Sequence, residues 1–98
     1  MKEYIFKQYL NNILAHMQIT QDTLFSRSRA QELVTGRNIL YYLARNKMGV
    51  TEIQNYLKRS NYPISQSSIL NGINSIKKLK HEDADYKHII NKLERVDI

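Results

Sequence analysis

Four small polar residues, Ser65, Gln66, Ser67 and Ser68, stand together in the stretch YPISQSSILNGINSIKKLK, Tyr62 to Lys80. Their side chains offer three hydroxyls and one amide, groups that hydrogen-bond but carry no charge near neutrality. One such residue is enough to cap a helix. The others are either solvated or aimed at a partner with hydrogen-bonding edges. In the DNA major groove glutamine pairs with adenine through N6 and N7, and serine bonds several bases. Asn71 follows on the same segment, and Lys77, Lys78 and Lys80 close it with charges suited to phosphates.

A second set lies upstream in LFSRSRAQELVTGR. Arg27 and Arg29 alternate with Ser26 and Ser28, and Arg37 follows. Arginines in a loop are commonly plain surface charges; interleaved with small hydroxyls they also suit a nucleic-acid backbone. Other chemistry is thin. His81, Asp83, Asp85 and His88 suggest a metal site on paper, but read better as a solvated helix junction with an acidic first turn. No carboxylate pair, Ser-His-acid set or cysteine nucleophile stands out, so neither an enzyme nor a cofactor is expected.

Net charge is +6, and its distribution says more than its size. From Thr23 to Lys80 ten basic residues, Lys58 and Arg59 among them, face only Glu32 and Glu52, a local +8; the remainder holds five basic and seven acidic groups. A concentrated positive field attracts polyanions. The 98 residues suit one domain, residues 1–98, with one modest core. No apolar run approaches the roughly 20 residues that span a bilayer, and the first helix is too polar for a signal-peptide core. The absence of cysteine fits a cytoplasmic protein.

Apolar residues at Ile5, Phe6, Tyr9, Leu10, Ile13, Leu14 and Met17 predict a helix over residues 2–17. TQDTLF predicts a short helix capped by Thr20, with Asp22 in its first turn; a basic loop follows. The dense run Ile39 to Ala44 predicts a central buried helix starting near Glu32 or Thr35, with Gly49 as its stop. Thr51 is expected to cap the next helix, SNYPIS to turn, and Ser65 to cap a helix burying Ile69, Leu70, Ile73 and Ile76. Tyr86, Ile89, Ile90, Leu93 and Val96 share a face of the last helix, which Asp83 or Asp85 starts. His16 is expected to be partly buried, and Tyr41 and Tyr42 to be core and core-edge. No strand alternation occurs, so the fold class is all-α with about six helices. Two short helices joined by a polar turn and packed on a buried one form a helix-turn-helix.

The chain resembles the C-terminal DNA-binding domain of the bacterial replication initiator DnaA, a Trp-repressor-like helical domain. LFSRSRAQELVTGRNILYYLAR is similar to that family's basic loop and arginine-led central helix. SQSSILNGI aligns without a gap to its signature Asp-His-Thr-Thr-Val-Leu-His-Ala-Ile. The resemblance runs from Ile5 to Val96. It implies that Arg27 and Arg29 contact the minor groove and backbone, and that Ser65, Gln66, Ser67 and Ser68 read bases. Three departures stand out. None of the four signature residues is identical, so a different target site is implied. The turn KRSNYPIS is about four residues longer and brings in Lys58, Arg59 and Tyr62. The three glycines are scattered and no Gly-Lys-Ser/Thr loop occurs, so the likeness extends to binding and not to nucleotide hydrolysis.

The leading expectation is sequence-specific binding of double-stranded DNA in replication or transcription control. The rival is a protein-interaction module on the same fold, docked to a replication or regulatory protein with its base reading lost. Single-strand or RNA binding is weaker, with Tyr62 as its one stacking candidate. Without a heptad seam the chain is expected to be monomeric.

Overall fold

The three- and four-residue apolar spacing becomes six helices in the computed structural model, which describes residues 2–95. They are α1 (Lys2–Met17), α2 (Gln21–Leu24), α3 (Gln31–Arg45), α4 (Val50–Arg59), α5 (Gln66–Glu82) and α6 (Ala84–Leu93). No strand occurs among the described residues, and the fold is all-α. Helix α3 is central: Leu40, Leu43 and Ala44 are completely buried, and it packs on α1, α4 and most extensively on α5. Buried residues from all six helices join in one cluster.

The α3–α5 crossing depends on Gly72. A Cβ there would run into Asn38 Oδ1 and approach the Tyr41 ring to 2.9 Å, so any larger residue would force these two α3 side chains to shift.

Local signals set the ends. Thr20 Oγ1 accepts from Thr23 N at 3.3 Å, Ser65 Oγ from Ser68 N at 3.1 Å, and Asp83 Oδ1 from the amides of Asp85 and Tyr86. After α4 the chain closes a Schellman motif: Asn61 N bonds Lys58 O and Tyr62 N bonds Leu57 O, with Asn61 left-handed at φ 62°. This turn swings Tyr62 inward.

Several expectations are corrected. Helix α4 starts two residues earlier than a Thr51 cap would require: Gly49 is its N-cap, and the Glu52 carboxylate accepts from Gly49 N at 3.0 Å. Glycine has no side chain, so only this half of a capping box exists. Gly49 therefore begins α4 and does not stop α3, which ends at Arg45 with Asn46 in helical conformation. Helix α3 begins at Gln31, which leaves Glu32 in its first turn as expected and Thr35 inside the helix. Leu70 is 46% exposed. The core stripe of α5 is Ile69, Gly72, Ile73 and Ile76, and a residue about 100° from Ile69 falls off its edge. Tyr62 is 7% exposed, stacked on Phe25 with centroids 5.3 Å apart, and is no platform for bases. His16 is exposed. Tyr41 and Tyr42 lie in the core and at its edge as expected, and Val96 lies outside the described residues.

Candidate nucleic-acid interface

Residues 26–30 carry the basic loop between α2 and α3, and a buried arginine sets their shape. Arg37, 6% exposed, donates from Nη1 to Leu24 O at 2.8 Å and Ser26 O at 3.1 Å, and from Nη2 to Ser28 O at 2.8 Å. A guanidinium is a rigid fork of donors, and charge-assisted bonds to three carbonyls hold alternate peptide units from the end of α2 into the loop. Arg37, which the sequence reading placed among the DNA contacts, thus frames the loop from within.

Arg27 and Arg29 then diverge. Arg27 Nη2 donates to Pro63 O at 3.0 Å, and its guanidinium lies 4.4 Å from the centre of the Tyr62 ring. It latches the loop to the turn before α5, yet stays exposed. A cation–π contact at an exposed site contributes about 0.5–1 kcal/mol, so a phosphate can compete for it. Arg29 is exposed and makes no hydrogen bond or ion pair among the described residues.

The loop faces α5 across a cleft of about 400 Å³ lined by Arg27, Arg29, Arg37, Asn38, Tyr62 and Ser68, together with Ser28, Val34, Tyr41 and Ile64. Three guanidiniums and no carboxylate line it. Burial raises the Tyr41 hydroxyl pKa well above its ordinary value, with Tyr62 adding to the rise, so that phenol stays neutral.

At the start of α5 the four polar residues separate. Ser65 caps, and its Oγ also lies 3.0 Å from Ser68 Oγ. Gln66 Nε2 donates to Thr51 Oγ1 and to Gln54 Oε1, each at 3.2 Å. Ser67 is exposed and has no side-chain bond among the described residues. With about 100° per residue, Ser67, Asn71, Asn74 and Lys78 form the ridge opposite the buried stripe, Leu70 and Lys77 flank it on the side of Gln66, and Ser68 lies on the other flank. The outermost polar groups are thus Ser67 and Asn71. Asn74 lies on the same ridge and exposed Leu70 on its flank, neither of which the sequence reading favoured. Gln54 and Thr51 were missed as well, because a bond between two helices leaves no periodic signal.

The remaining basic residues scatter more. Lys58 and Lys78 are exposed and unbonded among the described residues. Arg59 pairs with Glu3 at 2.9 Å, lies over the Tyr56 ring, and faces a hollow beside α1 that shares no lining residue with the loop cleft. An exposed pair of this kind contributes about 0–1 kcal/mol. Lys77 lines a shallow hollow with Lys80, His81 and Lys87, the last being a residue the sequence reading did not single out. Lys80 itself turns to Tyr42 Oη at 3.3 Å and Glu94 at 3.9 Å. Among the described residues no three His, Cys, Asp or Glu side chains gather as a metal site would require, and no helix is long and apolar enough to cross a membrane.

No family model matches the chain, and no curated protein or solved structure is found to be similar to it.

Proposed function

We infer that the chain binds double-stranded DNA, with α4, the turn and α5 acting as a helix-turn-helix whose α5 enters the major groove. The observation that carries this reading is the cleft in which an arginine-framed basic loop faces the first turn of α5, with three guanidiniums and no carboxylate. A helix fits a major groove about 12 Å wide, and a loop beside its N-terminus then meets the adjoining backbone, where charge sets affinity and register. Arg29, Lys58, Lys77 and Lys78 supply phosphate contacts; Gln66 in the first turn, with Ser67 and Asn71 on the outer ridge, meets base edges. The similarity of the loop and α5 segments to the initiator's DNA-binding domain supports a role in replication or transcription control.

Selection from a random duplex library followed by a gel shift tests this. A recovered consensus bound more tightly than scrambled duplex is the expected outcome. Exposed Leu70, set among the polar groups of the ridge, favours the rival protein-interaction module. Absence of duplex binding at low salt would promote that rival.

A further inference from the structure

Gln66 is the one side chain of the first turn that carries its donor and its acceptor on separate atoms of one amide, and the structure constrains which of them is free. An amide nitrogen has two hydrogens, and both are engaged: one with Thr51 Oγ1 and one with Gln54 Oε1, at 3.2 Å each. The orientation is enforced from the far end of a chain of bonds. Gln54 Nε2 donates to Ile64 O at 3.0 Å, and a backbone carbonyl can only accept. Gln54 must therefore present its oxygen to Gln66, and Gln66 must answer with its nitrogen. Turning either amide over would oppose oxygen to oxygen or N–H to N–H. The bonds tie α4, the turn and α5 together at the end of α5 that the DNA-binding reading sends into the groove.

We propose that Gln66 is a specificity-determining residue that recognises its base through Oε1 alone, as an acceptor oriented by Thr51 and Gln54. This rests on the DNA-binding reading and deepens it. A lone acceptor selects a base with an exocyclic amine in the major groove, cytosine through N4 or adenine through N6. Guanine offers acceptors there and thymine an acceptor and a methyl group, so both are disfavoured. Adenine loses its advantage over cytosine, because no N–H remains for N7. The result differs from the bidentate adenine pairing that a freely rotating glutamine gives. Thr51 and Gln54 are positioning residues: they set base choice without touching the base.

The test is duplex-library selection with the full chain and three variants: Gln66→Ala, Thr51→Val, and Thr51→Val combined with Gln54→Leu. Wild type should accept cytosine and adenine within about twofold of each other at one position, and both over guanine and thymine by roughly fivefold to tenfold. Gln66→Ala should erase that preference. The double variant releases the amide N–H groups, and adenine should rise several-fold over cytosine at the same position. In the absence of DNA, the Gln66 side-chain amide resonances should move in Thr51→Val, while urea denaturation confirms that each variant folds. Adenine alone in wild type, or a base preference unmoved by the double variant, overturns the proposal and leaves DNA binding intact. Failure of wild type to bind any duplex overturns the DNA-binding reading and the proposal with it.

Discussion

At the start of α5, Ser65, Gln66 and Ser68 direct their hydrogen bonds to one another and to α4, whereas about three turns later Lys77 and Lys78 extend without a hydrogen bond or ion pair among the described residues. Each arrangement suits a different task. A side chain held by two bonds has one orientation and little freedom left to lose on meeting a partner, so it can discriminate. A lysine retains about 2 kcal/mol of rotamer entropy and presents a point charge, which attracts phosphates without distinguishing bases. The basic loop repeats the contrast within five residues, Arg27 latched to Pro63 and Tyr62 and Arg29 unbonded. One helix and one loop thus each combine a fixed part with a free part.

Removing the frame of the fixed part should have the largest effect. Arg37→Met leaves the carbonyls of Leu24, Ser26 and Ser28 without their donor and should cost about 2–4 kcal/mol in urea denaturation. A loss under about 0.5 kcal/mol would mean that the loop holds its shape unaided. The free part should behave oppositely. Lys77→Ala with Lys78→Ala should leave stability unchanged, weaken binding to all duplexes alike and flatten the log–log salt dependence by roughly 1.8. Loss of preference for one site over another would contradict the division of labour.

Leu70→Ala should change stability by less than about 0.5 kcal/mol, as for surface sites generally. A loss of several kcal/mol would return Leu70 to the core. The smallest effect concerns Glu52, whose carboxyl pKa is lowered from its ordinary 4.5 by the backbone N–H of Gly49 and then by Lys2. Its lowered folded-state value means that its contribution is fully present above 4.5 and disappears as pH falls through the lower folded value. Glu52→Gln should accordingly lower stability slightly at neutral pH, leave it nearly unchanged below the folded value, and so flatten the acid limb of the stability profile.

Much of the architecture was legible because it is local. Thr20, Ser65 and Asp83 cap within three residues of their own positions, and Ile69, Ile73 and Ile76 recur at helical spacing. What eluded the sequence depends on distant partners. Ile69 and Leu70 are adjacent and equally apolar; only the crossing of α3 over Gly72 determines which one is buried. Tyr62 and Arg37 turn inward because each meets the other's neighbourhood, the guanidinium lying 5.3 Å from the Tyr62 ring. At the candidate interface the residue types singled out two segments that the fold brings to one cleft, but the ties from Gln66 to Thr51 and Gln54 cross between helices.

The most direct test measures duplex affinity of the full chain against salt concentration, for the selected site and for a scrambled one. The account predicts two parallel lines of log K against log salt, each with a slope of about −3 to −4 from four phosphate contacts. The selected site should lie above the scrambled one by an offset that salt does not change, since the fixed groups at the start of α5 discriminate without displacing counterions. Coincident lines, or a slope near zero, would contradict it.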